Sequence, residues 1–352
     1  MFVVGVDAHK TVHVAVALDD QGRELAQWSG PNSASGWSDL SRWADSLSGS
    51  KVWGIEGAWS YGRGLAQRLV ADGETVYEIN ARWTALNRRN ARRPGKTDRL
   101  DAHAVARFVR QEAPHLPLVG AEDETAVLDL LTTEREAVLA EATRLRNQIH
   151  ALLLQIDPEY KVRYPNLRTR SAIENLSKLK PRTNDELQTQ RIASVHRLAK
   201  RLRLAMSQAG ELAADIEERA AEYAPLTKLC GVNLLTAGTL AGILGPGRRF
   251  ASDAQLAAYA GAAPLEASSA GLVRHRLNRG GNRRLNTVLY RIALTQAHHL
   301  PSARTYIDRR VGEGKTRREA RRALTRYIVR AVWRLWQECA PAAAGVRFGE
   351  AA

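Results

Sequence analysis

Two short apolar runs that each stop at a carboxylate constrain this chain more than any other feature. VVGVDAHK ends its run at Asp7, and VWGIEGAW ends its run at Glu56. A run of this kind reads as a strand that delivers an acid to one end of a sheet. Between the two, Thr11 to Leu18 is a second strand, Gly22 marks a turn and Arg23 to Trp28 is a third, giving a three-strand meander. The polar loop Gly30 to Ser35 leads to a helix around Gly36 to Leu47. Lys51 to Glu56 is then a strand, Tyr61 to Ala71 a helix and Thr75 to Ile79 a strand. This β-β-β-α-β-α-β order predicts a mixed sheet with helices packed against it.

From Asp98 the period becomes helical, with Ala102, Val105, Ala106 and Val109 as an apolar stripe. Pro114 and Pro117 punctuate a linker. Leu128, Leu131, Val138, Ala142, Leu145, Ile149, Leu152 and Ile156 then recur at three- and four-residue steps, with Arg135 as the exception in the seam. That pattern predicts a helical hairpin or coiled-coil arm, a device for dimerisation or spacing. Pro158, Pro165 and Pro181 break it, and Glu186 to Tyr223 resumes it. Past Pro225, two helical segments flank Gly231, Val232 and Asn233, as in a helix-hairpin-helix whose turn offers N–H groups to phosphate. A small-residue segment (Ala257 to Ser269), a basic loop (Arg274 to Arg284) and Arg-rich helices from Leu285 to about Cys339 complete the expectation, with a frayed tail after them.

Charge separates these regions. The 352 residues carry 52 Lys and Arg against 37 Asp and Glu, a net +15. Residues 1–110 hold 15 bases and 12 acids, whereas residues 245–334 hold 19 and 5. An excess so concentrated points to a polyanion, nucleic acid or an acidic membrane surface, and favours phosphate binding over a solvated face, which mixes signs. Two cysteines exclude a disulfide framework and a cysteine-rich zinc domain. No apolar run approaches the ~20 residues that cross a bilayer, and MFVVGVDAHK is not a signal peptide, so a soluble, cytoplasmic protein is expected.

Against this basic background four acids stand out. Asp7 and Glu56 occupy equivalent strand ends, and Asp98 and Asp101 lie three residues apart on one helix face in KTDRLDAH. Buried together and unpaired they would repel and their pKa values would rise; bound to Mg²⁺, a hard cation that prefers oxygen, they become a productive site. Two such ions about 4 Å apart activate the attacking oxygen and stabilise the leaving oxygen of a phosphodiester. Singly, Asp98 reads as a helix N-cap, Asp101 as a first-turn charge on the helix dipole and Glu56 as an ordinary strand end. Together, in this strand order, they point to a metal site. Arg88, Arg89, Arg92, Arg93, Lys96 and Arg99 surround the last two acids and would hold a phosphate backbone over the metals, whereas His103 reads as helix surface or packing.

The order D-x(48)-E-x(41)-D-x(2)-D, opening in VVGVDAHK and closing in GKTDRLDA, resembles the DEDD transposases of bacterial insertion sequences, relatives of the Piv invertase. The second half is similar too, in LCGVNLLTAGTLAGILG, RRFASDAQLAAYAGAAPLEASSAG and NRGGNRRLNTVLYRIAL. The resemblance implies a ribonuclease-H-like (RuvC-like) α/β domain over residues 1–115, a helical coiled-coil arm over 116–224, a mainly helical basic domain with a helix-hairpin-helix over 225–340 and a flexible tail over 341–352. It makes Asp7, Glu56, Asp98 and Asp101 the Mg²⁺ ligands, and Ser269, a few residues after AGAAP, the nucleophile that forms a transient phosphoserine link to DNA. Ser268 precedes it, and Ala270 stands where the family's glycine is usual. Asn233 replaces the second glycine of the hairpin and tolerates its left-handed conformation. A serine hydroxyl needs activation, and the metal site is the only strong activator the sequence provides.

The implied partners are double-stranded donor and target DNA, a structured guide RNA and further copies of the chain, as a dimer or tetramer with composite sites; no membrane is implied. Arg274, Arg276, Arg279, Arg283, Arg284, Arg317, Arg318, Arg321 and Arg322 join the basic residues near Asp98 as the expected nucleic-acid contacts. The implied function is an Mg²⁺-dependent transposase or site-specific recombinase, in the bacterial cytoplasm and at the nucleoid when on DNA. Two alternatives remain at this point: a RuvC-like nuclease that uses water, and a non-catalytic DNA- or RNA-binding protein.

Overall fold

The computed structural model describes residues 1–80, 97–181, 185–247, 249–266, 275–276, 278 and 280–339. Strands β1 (Phe2–Ala8), β2 (Val12–Leu18) and β3 (Glu24–Pro31) form the expected meander. Helix α1 (Ala34–Asp45), β4 (Lys51–Glu56), α2 (Arg63–Ala71) and β5 (Val76–Ile79) follow. The sheet order is β3-β2-β1-β4-β5, antiparallel through the meander and parallel from β1 to β4 to β5. That order and those directions make a ribonuclease-H-like sheet.

Side chains alternate across β1 and sort its residues between two cores. Phe2, Val4 and Val6 pack with Leu40 of α1 and Leu65 of α2. Val3 faces the other way, toward Ala102, Val105, Ala106 and Val109 of α3 (Asp98–Glu112). Gly5 and Asp7 share that second face. A Cβ at Gly5 would lie 2.3 Å from the Ala106 nitrogen and 2.4 Å from the Ala102 oxygen, so a hydrogen there lets the helix backbone lie directly on the sheet. Gly54, in register with Gly5 on β4, makes the same room for Val109. The apolar stripe read after Asp98 is thus what α3 buries, and the two glycines fix how near it comes.

The Pro-punctuated segment before the arm is more ordered than a linker. A 3₁₀ turn (Ala113–His115) ends α3, and the chain then runs along β5: Glu78 N donates to Pro117 O (3.0 Å) and Val119 N to Val76 O (2.8 Å). It covers the outer edge of the sheet, and Leu118 N in turn donates to Arg249 O (3.1 Å).

The arm is an antiparallel hairpin of α4 (Glu124–Ile156) and α7 (Glu186–Arg219), with α5 (Tyr160–Arg163) and α6 (Arg170–Leu176) at its far end. Leu128, Ala142, Leu145 and Ile149 of the predicted seam are buried, and Val138, Leu152 and Ile156 are partly so. Arg135 fits the seam because its Nε donates to Ala209 O across the hairpin (3.2 Å). A separate core closes the far end, where Tyr160, Leu167, Ile173 and Leu176 pack on the two long helices.

The remaining chain is helical around one core. A 3₁₀ segment (Ala220–Lys228) precedes α8 (Leu234–Leu244), α9 (Asp253–Tyr259), the strand pair β6 (Leu265–Glu266) and β7 (His275–Arg276), and α10 (Arg283–His299), α11 (Pro301–Gly312) and α12 (Arg317–Cys339). The hairpin expected at residues 231–233 is corrected in two respects. Its first limb is 3₁₀, with Pro225 inside it, and Asn233 is not left-handed: at φ −100° and ψ 178° it is the N-cap of α8, accepting from Thr236 N (2.9 Å). The positive φ falls on Gly231 (92°), where a Cβ would press on Thr295 of α10 at 3.1 Å. No described helix is long and apolar enough to cross a membrane.

One buried arginine joins the sheet to this helical unit. Arg249 forms an ion pair with Glu78 of β5, donates to Tyr259 OH (2.9 Å) and to Ile243 O (2.9 Å), and lies over the Trp59 ring. Trp59 Nε1 also donates to Glu78 (3.2 Å), and Asn282 Nδ2 donates to Tyr259 OH (3.0 Å). Burial disfavours the Arg249 charge, but Glu78 and Tyr259 outweigh it and hold the guanidinium pKa above its ordinary value.

Candidate metal centre

The acids at the strand ends meet because the parallel register leaves no alternative. Asp7 and Glu56 are direct partners on β1 and β4, and both lie on the sheet face that α3 covers. Thr97 starts α3: its side chain accepts from Leu100 N (3.3 Å), which makes Thr97 the N-cap and Asp98 the first helical residue, not the cap. Asp98 and Asp101 then occupy one side of the first turn, the end nearest Asp7. Asp7 and Asp101 are each only 5% exposed, while Asp98 is exposed.

Electrostatics register the crowding. The Asp7 carboxyl is pushed up to about 6, burial being the largest cause; His9 draws it down, and the like charges of Glu56 and Asp101 drive it up again. His9, which the sequence reading passed over, bridges the cluster: its Nε2 is 3.1 Å from Asp7 Oδ2 and 3.5 Å from Asp98 Oδ1. The signal for it was present, since residues two apart on a strand share a face and His9 follows Asp7 by two. Asp7, His9 and Asp98 each offer a donor atom, all within 4.8 Å of one another. Oxygen donors dominate, one imidazole joins them, and a buried carboxylate there is disfavoured without a countercharge. That donor set fits a hard divalent cation.

Other expected site residues are distributed differently. Arg88, Arg89, Arg92, Arg93 and Lys96 lie outside the described residues, as do Ser268, Ser269, Ala270, Arg274 and Arg279. Arg99 does not face the acids but pairs with Glu24 of β3 (2.8 Å). Burial lowers the His103 pKa, in keeping with a packing role. Arg276 is in β7. Arg283 is exposed, whereas Arg284 is engaged inside the protein, with Asp129 (2.6 Å), Glu136 (3.0 Å) and Thr132 (3.1 Å) of α4. On α12, Arg318 is exposed, Arg317 and Arg322 make long pairs with Asp308 (3.7 Å) and Glu319 (3.8 Å), and Arg321 lies over Tyr290.

One contact links the basic helical unit to the acidic end of the sheet. β6 and β7 pair antiparallel on either side of residues 267–274. Asn80, one residue beyond β5, donates through Nδ2 to Gly280 O (3.4 Å). Because β1, β4 and β5 run parallel, Asn80 lies at the same sheet end as Asp7 and Glu56, about 10 Å from Asp7 by strand spacing.

Comparison with known proteins agrees with this architecture. A family model of DEDD transposases of IS110 type matches residues 4–158, and one of the IS116/IS110/IS902 transposase family matches residues 223–308. The 43.6 kDa protein of insertion element IS110 from Streptomyces coelicolor is 30% identical, over 77% of this chain and 73% of its own. The 42 kDa protein of insertion element IS900 from Mycobacterium paratuberculosis is 26% identical over 95% of each. A structure of T. thermophilus RuvC in complex with a Holliday junction substrate aligns with 34% of this chain and all of its own, at 13% identity and a TM-score of 0.26, and the fold rests on the strand order instead.

Proposed function

This chain belongs to the IS110 family of DEDD transposases, and from that premise we propose a Mg²⁺-dependent recombinase that cuts and rejoins DNA through a phosphoserine. That it is a DNA transposase of an insertion element follows from the family; the chemistry is our reading. Residues 1–115 would hold the metal, 116–224 form the arm, and 225–340 carry the nucleophile and the DNA-binding basic surface, with 341–352 as a tail.

The observation that carries the reading is the gathering of Asp7, Glu56, Asp98 and Asp101 at one end of the sheet, where burial first, and then the like charges of Glu56 and Asp101, push Asp7 up to about 6. Asp7, Glu56, Asp98 and Asp101 would hold Mg²⁺, with His9 beside them. A bound divalent ion supplies charge stabilisation at the reacting phosphate and lowers the pKa of the attacking hydroxyl. The chain's own part is to fix the four carboxylates rigidly through β1, β4 and α3 and to present Ser269, with Ser268 as its neighbour. The serine oxygen forms a bond to phosphorus as one ester oxygen leaves with a proton, and attack by another DNA hydroxyl on that linkage releases the serine. The Asn80–Gly280 contact supports bringing the two parts together, since it joins the end of β5 to the chain just after β7.

Double-stranded donor and target DNA would be held by Arg283, Arg317, Arg318, Arg321 and Arg322, and by the basic residues outside the described segments. A structured guide RNA, an assembly of two or four copies and a site of action in the cytoplasm at the nucleoid complete the proposal. The test is a titration of strand exchange with Mg²⁺ combined with denaturing-gel trapping of protein on DNA ends. A covalent adduct absent from Ser269→Ala supports the reading. Metal-dependent cleavage with no adduct in the wild type would replace it with a nuclease that uses water.

A further inference from the structure

The arm reverses its charge along its length. Its inner half, residues 124–141 packed against 206–222, has 10 acids and 2 bases. Its outer half, residues 142–205, has 14 bases and 5 acids. Four inner acids are matched within the chain: Glu124 by Arg219, Asp129 and Glu136 by Arg284, and Glu141 by Arg201. The acidic half therefore serves in part to dock the arm on the basic helical unit.

The outer half has no such balance. Arg163 and Arg170 pair locally with Asp157 and Glu174. Arg144, Lys161, Arg168, Arg191, Lys200 and Arg203 are 4.0 Å or more from any carboxylate among the described residues. Arg197, Lys200 and Arg203 recur at three-residue steps, so they follow one another along a side of α7. A solvated helix mixes its signs; a run from residue 187 to 210 with five bases and no acid does not. The far end of the arm closes on a core of its own, separate from those of the sheet and of the basic helical unit.

We propose that the outer half of the arm is a second DNA-binding surface, which grips duplex phosphates away from the acidic site. Duplex DNA fits this surface because it carries a dense, regular negative charge and needs no base-reading pocket. The 33 residues of α4 extend about 50 Å, comparable to about 15 base pairs, so such a grip lengthens the footprint well beyond the reacting phosphate. A second copy of the chain would offer the acids of its own inner half, four of which are paired in cis, and the test separates that occupant from DNA.

The test uses the full chain carrying Asp7→Asn, so that binding is read without turnover, and 15- and 40-base-pair duplexes of arbitrary sequence across a salt series. The arm variant is Arg197→Gln, Lys200→Gln, Arg203→Gln, all good helix formers; Arg144→Gln with Arg168→Gln is a second, independent variant. Expected for the triple variant is roughly tenfold weaker binding of the long duplex at physiological salt, a salt slope lower by about 2 to 3, and little change on the short one. Unaltered helical circular dichroism and melting show that the fold is kept. Equal affinity of variant and wild type for the long duplex overturns the inference, as does a loss confined to a structured RNA, or one that appears only as a change in oligomeric state. Since the inference rests on DNA as the substrate, a wild type that binds neither duplex would instead sink the proposed function.

Discussion

Two clusters of buried charge lie near the same end of the sheet and have opposite character. Around Arg249 the charge is balanced: Glu78 supplies the opposite charge, Tyr259 OH and Ile243 O accept from the two terminal nitrogens, and the Trp59 ring lies against the guanidinium, whose Nε alone is left without a partner among the described residues. Around Asp7 the balance runs the other way: burial is reinforced by the like charges of Glu56 and Asp101, and among the described residues it is His9 that draws the Asp7 carboxyl back down. A completed cluster holds a protein together; one left short of positive charge spends stability on a site that something else must neutralise. The difference between scaffold and candidate site is therefore one of charge balance, not of burial.

That contrast can be broken at several points. The largest effect is expected from Asp7→Asn or Glu56→Gln, each lowering strand exchange by roughly a thousandfold or more while DNA binding by gel shift persists. Equal activity in either would place the metal elsewhere. On the completed side, Arg249→Met leaves Glu78 buried and alone and should cost about 3–5 kcal/mol in denaturant melts, with part of it recovered when Glu78→Gln is added. Additive losses would show that the two do not act as a pair.

The unfinished cluster should respond in the opposite direction. Asp7 has a folded pKa near 6 against 3.8 in a free side chain, so the folded state keeps a proton that the unfolded state has lost. Stability of the metal-free protein should then fall as pH rises from about 4 to 6 and stay low above that. Asp7→Asn, immune to this, should be more stable than the wild type by about 1–3 kcal/mol at neutral pH, with the gain gone near pH 4. Divalent ions should raise the wild-type melting temperature and leave the variant nearly unmoved. The smallest change, Thr97→Ala, removes the cap of α3 and should cost about 1 kcal/mol, a local loss that tests whether the helix bearing Asp98 needs its cap.

The sheet and its acids were legible because their causes are local: an apolar run, a turn glycine and a carboxylate at a strand end lie within a few residues of one another. The α3 stripe was legible by the same reasoning. The Arg249 joint was not, since its partner Glu78 is 171 residues away and neither neighbourhood marks the pairing. The edge strand at residues 117–119 hid behind two prolines, which say where a helix cannot continue and nothing of what the chain pairs with afterwards. Asn233 was misjudged because asparagine serves both left-handed turns and N-caps, and the neighbouring Gly231 had already taken the positive φ. The reversal of charge along the arm is written in the composition, yet it emerges only when residues 124–141 are folded back on 206–222.

Because Leu118 is tied by its backbone to both β5 and Arg249, the stretch that looks like a tether between two halves is a shared seam. Cutting the gene there, or splicing in a fusion partner, would prise open a hydrogen-bonded ladder on one side and expose a raw sheet margin on the other. The tolerant position for a tag or a split is a surface turn such as Asp72–Gly73, where a Cβ at the glycine would meet nothing within 4 Å.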